Sequence, residues 1–284
     1  MSTQLGVGLQ GDHISAEVTA FETLIGRPVD ATRHYQNWSD PLVDTDVLAS
    51  VAAGKTPLIS LHAFDANGLS IRWSDIASGK HDPRLTVAAD ELRSLGQAKV
   101  RFVFHHEPED DVDSIGAQGK CGTGPAEFVA AWTHVRSLFR EHGVGRNVKM
   151  GVCLMASTFR GGHGGAAVWC PSTLKLDFIA VDGYTRDAGS GQKWHSFTDV
   201  FGAAHDFAAS RGKSLVIEEC GCAEGNTADL KPAWFDAAAV ALAWWKPSLF
   251  MYSHVYAQNF DGQDYRVDTS AESLAAFKAL IGGL

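Results

Sequence analysis

Cysteine is scarce and unpatterned in this chain: five residues, Cys121, Cys153, Cys170, Cys220 and Cys222, with no C-x-x-C pair. An odd number without that spacing argues against a structural zinc site and leaves a single disulfide open. Long apolar runs are missing too, none approaching the ~18 residues that cross a bilayer, so no membrane partner is expected. There is no basic run: 24 Lys and Arg stand against 33 Asp and Glu, a net charge of −9, which makes nucleic acid a poor partner. The opening MSTQLGVGLQG lacks the basic and apolar regions of a signal peptide. The compartment stays open: extracellular if a leader has been removed, otherwise cytoplasmic or particle-associated. Neither a G-x-x-x-x-G-K-[ST] loop nor a strand-flanked G-x-G-x-x-G occurs, and no cofactor is expected.

What is present is one unit, repeated. Runs rich in Val, Ile, Leu and Phe predict strands near 4–9, 31–36, 57–62, 99–106, 148–155, 178–183, 214–219 and 249–256. Helical patterns fall between them, near 13–25, 44–53, 86–95, 125–142, 197–211, 229–245 and 271–282. The clearest is 125–142, where Phe128, Trp132, Val135, Leu138 and Phe139 share one face between Pro125 and Gly143. Strand–helix alternation over 284 residues predicts an α/β chain closed as a (β/α)8 TIM barrel, one catalytic domain spanning 1–284 with no linker.

In such barrels the chemistry gathers at the C-terminal ends of the strands. His62, Glu107, Asp182, Tyr184, Glu219 and Tyr256 all fall there. Glu107 and Glu219 end the fourth and seventh runs, and a pair of carboxylates so placed suits retaining glycoside hydrolysis. One donates a proton to the leaving oxygen and the other attacks the sugar carbon, about 5–5.5 Å away. Either Glu alone reads better as a solvated loop residue; the two together are harder to dismiss. Each has a competitor. Strand alternation puts Glu218 on the face opposite Glu219, and Glu109, after Pro108, should already lie in a loop.

Around this pair, Tyr184 is placed to hydrogen-bond Glu219. His105 shares strand parity with Glu107 and is expected to face the cleft, with His106 as an orienting or purely structural histidine. Trp38, Trp169 and Trp194 are candidate sugar-stacking rings, although core or loop packing is an equally good reading for any one of them. Adjacent residues on a strand point to opposite faces, so His105, His106 and Glu107 make poor co-ligands, and no metal is expected. GGHGG (161–165) reads as a flexible loop, or as a lid over the cleft. Asp182 reads equally as support for the site or as a core charge.

These segments resemble glycoside hydrolase family 26, the β-mannanase family within the retaining (β/α)8 clan. The likeness runs from about residue 40 to the C-terminus. IASGKHDPRL (76–85) is similar to the stretch before the family's fourth strand, and FHHE (104–107) to its His–Glu. FVAAWTHVRSLFREHGVGRNVKMGV (128–152) resembles its helix–turn–strand. PSTLKLDFIAVDGY (171–184), GKSLVIEECG (212–221) and DYRVDTS (264–270) resemble the tyrosine segment, the nucleophile strand and the closing segment. The resemblance implies Glu107 as acid/base, Glu219 as nucleophile and Tyr184 as the tyrosine touching it. Two features depart from the family. Val103 stands where an Arg is common, and Pro108, Glu109, Asp110 and Asp111 replace the Asn and Trp usual after the His–Glu.

The expectation is a monomeric, retaining, endo-acting hydrolase of a β-linked polysaccharide or oligosaccharide, first of all β-1,4-mannan. Another glycan, such as a microbial cell-wall polymer, β-glucan or xylan, is the alternative. A barrel that binds carbohydrate without cutting it is the third reading.

Overall fold

In the computed structural model the described residues are 2–9, 14–113, 120–186, 193–257 and 262–284. Eight parallel strands close in chain order into a barrel: β1 (Gln4–Gly8), β2 (Ala31–Gln36), β3 (Thr56–Leu61), β4 (Val100–Phe104), β5 (Val148–Met155), β6 (Phe178–Thr185), β7 (Ser214–Cys222) and β8 (Leu249–Ser253). Closure is made by β1 against β8, with Gln4 opposite Leu249 and Gly8 opposite Ser253. The expected (β/α)8 architecture is therefore present, with every expected strand in place.

Among the described residues the α-helices are α1 (Ile14–Ile25), α2 (Thr45–Ala52), α3 (Trp73–Ala77), α4 (Asp82–Ser94), α5 (Pro125–Glu141), α6 (Ala156–Phe159), α7 (Ala166–Trp169), α8 (Phe197–Ser210), α9 (Leu230–Trp245) and α10 (Ala271–Gly282). The expected start of the first helix, residue 13, lies outside the described residues. In α5, Pro125 takes the first turn and the predicted face is the buried one. Gly143, at φ 79°, turns the chain just past that helix in a conformation few side chains adopt. All five cysteines are free and buried. Among the described residues no helix is long and apolar enough to cross a membrane.

The chain divides into two compact units, 1–33 with 180–284, and 34–179. The first holds β1, β7, β8 and most of β6. The second holds β3, β4, β5 and the second half of β2.

Candidate active site

In the unit of 1–33 and 180–284, Glu219 lies inside β7, which runs on to Cys222. Its side chain is 13% exposed, and its Oε2 accepts a hydrogen bond from the Tyr184 hydroxyl at 2.7 Å. Tyr184 Oη also meets Ser253 Oγ at 3.0 Å, so β6, β7 and β8 each contribute to one hydrogen-bonded chain. Tyr184 reaches Glu219 because Gly221 lets it pass: a Cβ there would stand 2.6 Å from Tyr184 Cδ1 and 2.9 Å from Tyr265 Cγ. The two neighbouring carboxylates differ in burial, yet one guanidinium nitrogen approaches both. Glu218 is fully buried and pairs with Arg33 of β2 at 2.6 Å, while the same guanidinium stands 3.8 Å from Glu219. Arg33 is itself fully buried, so one buried cation stands between the buried Glu218 and the partly exposed Glu219. Asp182, on β6, is 1% exposed.

In the unit of 34–179, β4 ends at Phe104 and Glu107 lies beyond it. His105 and Glu107 both take left-handed backbone angles, φ 52° and 49°. Such angles cost roughly 1–3 kcal/mol each for residues with a side chain, so neighbouring bonds must hold them. Those bonds are visible. His105 N–H donates to Leu61 O at 2.9 Å and Glu107 N–H to Cys153 O at 3.1 Å. A single 3-10 turn, Pro108–Asp110, follows. Glu109 in that turn is 2% exposed, and its Oε1 accepts from Met155 N at 2.7 Å and Thr158 Oγ1 at 2.6 Å. Burial pushes its pKa up to about 7, against the pull of those hydrogen bonds. The loop expected at Glu109 is thus a buried clamp onto the end of β5.

The left-handed residues also overturn the parity argument for the histidines. Alternation stops at Phe104, and His105 turns inward with no exposed surface. Its Nδ1 accepts from Ala63 N at 3.2 Å, which leaves Nε2 as the donor to Asp111 Oδ2 at 2.8 Å. It is a brace within the unit and has no surface to offer a sugar. Asp111 is held below the usual carboxylate range. Burial alone would raise it, but the bonds from His105 and Lys120 outweigh that. His106 is the half-buried histidine, stacked on His62 at 4.2 Å between ring centroids, with His62 Nε2 2.7 Å from His106 Nδ1. Tyr35 lies 5.3 Å from His106 and is 45% exposed.

Two of the expected stacking rings are buried. Trp38, 6% exposed, packs edge-on against His81 and Phe104. Trp169, 2% exposed, packs against Trp73 and Phe128 and donates from Nε1 to His163 O. Both are core side chains, since their apolar bodies find aromatic partners inside the fold. Trp194 is half-buried, beside Gly225, and Tyr256 is 48% exposed. In GGHGG, Gly162–Gly164 make a short, solvent-facing 3-10 turn between α6 and α7, kinked at His163, whose φ is 51°. Arg33 and Glu109 were missed in the sequence. A lone arginine within a strand was the available sign of a buried acidic partner; Glu109 gave none.

Comparison with known proteins bears on the fold. No protein-family model matches the sequence. The catalytic domain of a Bacillus sp. JAMB-750 GH26 endo-β-1,4-mannanase superimposes with a TM-score of 0.66 at 15% identity, over 99% of this chain and 86% of that one. The likeness is to glycoside hydrolase family 26. A Bacteroides ovatus GH26 β-mannanase gives 0.64 at 13% identity, covering 98% and 88%. A fungal β-1,4-galactanase gives 0.67 at 12% identity, covering 98% and 100%. At these identities the likeness is one of fold. In sequence, Endoglucanase H of Acetivibrio thermocellus is 26% identical over 274 residues, 93% of this chain. The chain spans about 29% of the length of that relative.

Proposed function

We propose that this chain is a glycoside hydrolase acting on a β-linked polysaccharide, endo-acting and retaining, with β-1,4-mannan its first substrate and the whole barrel one catalytic domain. The observation that carries the reading is Glu219 in its seat on β7, largely shielded and held by the Tyr184 hydroxyl at 2.7 Å. Glu107 beyond β4 is its partner, because the C-terminal ends of parallel barrel strands are where such enzymes gather their chemistry. Glu107 protonates the glycosidic oxygen as the carbon–oxygen bond breaks, and Glu219 attacks the anomeric carbon to form a glycosyl ester. Glu107 then takes a proton from water, whose oxygen displaces Glu219 with a second inversion. The relatives named as mannanases, a galactanase and an endoglucanase support a β-glycan as substrate.

A second reading, another β-glycan, is favoured by one feature. The acidic stretch 108–111, with Glu109 clamped to β5, replaces the Asn and Trp common in the family. A panel of mannan, galactan, β-glucan and xylan separates the two, with product chain lengths and the configuration of the new reducing end followed by NMR. Cleavage of mannan fastest, giving β-configured ends, is the expected result. Inverted products, or full activity after Glu107→Gln or Glu219→Gln, overturn the reading.

A further inference from the structure

We infer that the groove between α1 and the exit of β8 is a second carbohydrate-binding site, seating one or two pyranose units of a neutral β-linked glycan. The inference rests on the proposed function for the kind of glycan, and on the groove itself for the binding. The groove lies within the unit of 1–33 and 180–284, and neither Glu219 nor Tyr184 lines it. Its volume is about 570 Å³, within the range of small-ligand sites.

One wall is a face of α1. Glu17, Ala20, Phe21 and Leu24 recur at helical spacing along it. The other wall is the chain leaving β8, with His254, Tyr256 and, further on, Asp268. The floor is apolar, and Phe21 packs there against the His254 ring at 4.9 Å. The rim is polar in both senses. Glu17 and Asp268 supply acceptors, and the Glu17 carboxylate makes no hydrogen bond or ion pair among the described residues. His254 supplies a donor. Its Nδ1 accepts from Val267 N at 3.1 Å, which leaves the ring proton on Nε2. Burial lowers its pKa to about 4, so the ring stays neutral, with one fixed donor, through ordinary pH. Nε2 stands 3.9 Å from Asp268 Oδ1, too far for a direct hydrogen bond, and both atoms remain open to a hydroxyl.

Tyr256 completes the set. It is 48% exposed, a β-bridge to Asp264 fixes its backbone, and the Arg266 guanidinium lies 5.9 Å from its ring centre. Asp264 grips that guanidinium in turn, with Nη2 to Oδ2 at 2.6 Å. A supported aromatic ring, an apolar floor, and fixed donors and acceptors match a pyranose, which has apolar faces and a girdle of hydroxyls. An apolar ligand would strip water from Glu17 and Asp268 without replacing its hydrogen bonds. A uronate polymer would meet two like charges, which is why the site is assigned to a neutral glycan.

The test uses the full chain carrying Glu219→Gln, so that bound glycan is not consumed. Retention is measured by electrophoresis in gels containing galactomannan, mixed-linkage β-glucan or β-1,4-galactan, with polygalacturonate as the anionic control. Ala20 is exposed on α1, and Ala20→Trp there fills the groove. It is expected to weaken retention by about tenfold, the effect of losing one good contact. Asp268→Asn and Glu17→Gln, which change little volume, should each weaken it by about threefold, and they decide the matter if Ala20→Trp misfolds. Retention unchanged by these substitutions, no retention by any neutral glycan, or equal retention by polygalacturonate overturns the site. Failure of the wild-type chain to cut any glycan would sink the hydrolase reading instead, while retention lost with Ala20→Trp would still support the groove.

Discussion

Glu219 lies inside a nine-residue strand, whereas Glu107 lies past the end of a five-residue one, on left-handed backbone. The first is set by the sheet: β7 pins its main chain, and Tyr184 and Arg33 stand around its carboxylate. The second sits past the strand end, its main chain tied to the sheet only through single bonds from His105 to Leu61 and from Glu107 to Cys153, with Glu109 bonded to Met155 and Thr158 and His105 to Asp111 in the same segment. The division suits the proposed chemistry. A nucleophile must hold one position through bond formation. A residue that serves first as acid and then as base must meet two different oxygens in turn. Strand geometry gives the one; a braced loop end gives the other.

Removing each carboxylate is the strongest way to break this comparison. Glu219→Gln takes away the attacking group, and turnover should fall by about 10⁴-fold or more on any glycan. Glu107→Gln removes proton transfer only, worth about 10² to 10⁴. Substrates with acidic aryl leaving groups should be spared in the glycosylation step of Glu107→Gln and not in that of Glu219→Gln. Pre-steady-state bursts on such substrates check this, and equal losses in glycosylation would mean the roles are misassigned.

Next in size is Arg33→Met. It strands the fully buried Glu218 without its cation, and breaking a buried pair in this way costs about 3–5 kcal/mol. Urea titration should show that loss, and Arg33→Met/Glu218→Leu should recover much of it. If the single variant is as stable as wild type, the Glu219 seat does not depend on the Arg33–Glu218 pair.

Glu109 probes the other seat through pH. Its folded pKa, about 7, lies above the 4.5 of an ordinary glutamate, so between these values the folded chain binds more protons than the unfolded one. This contribution to stability is fully present below about pH 4.5 and is lost as pH rises through about 7. The full span is on the order of 3 kcal/mol. Glu109→Gln keeps an acceptor and a donor without the charge, so its melting temperature should fall less than that of wild type between pH 5 and pH 8. Parallel curves for the two proteins would mean that Glu109 is not held as described.

The same contrast explains how much could be read from the sequence. The strands and longer helices were legible, because buried parallel strands are continuous apolar runs and the helices carry their own periodicity. Glu219 and the Tyr184 contact were legible from their places at strand ends together with the family resemblance; alternation alone leaves Glu218 and Glu219 undecided. His105 was misread because alternation ends at Phe104, and no Gly or Asn marks the two left-handed residues beyond it. For Trp38 and Trp169 the core reading is the one that holds, and the sequence could not choose it, because a tryptophan between elements has the same composition whether its ring points outward or into the core. The short helices α3, α6 and α7 escaped because four or five residues are too few to show a period.

The smallest effect sharpens the comparison most finely. Tyr184→Phe removes one hydroxyl from Glu219 and leaves the ring against Gly221 and Tyr265, whose ring centre is 4.8 Å away. A hydrogen bond to a charged group is worth about 1.5–3 kcal/mol. Part of that loss should be offset, because Ser253 Oγ, 3.0 Å from the missing oxygen, belongs to the same chain of bonds. The expected result is a fall in kcat of about tenfold, with KM nearly unchanged and no loss of stability beyond about 1 kcal/mol. A matching fall from Tyr184→Phe/Ser253→Ala, no larger than from Tyr184→Phe alone, would show that the serine offers no support. A kcat equal to wild type in Tyr184→Phe would mean that β7 alone orients Glu219, and the strand, without its tyrosine, would be the whole of that seat.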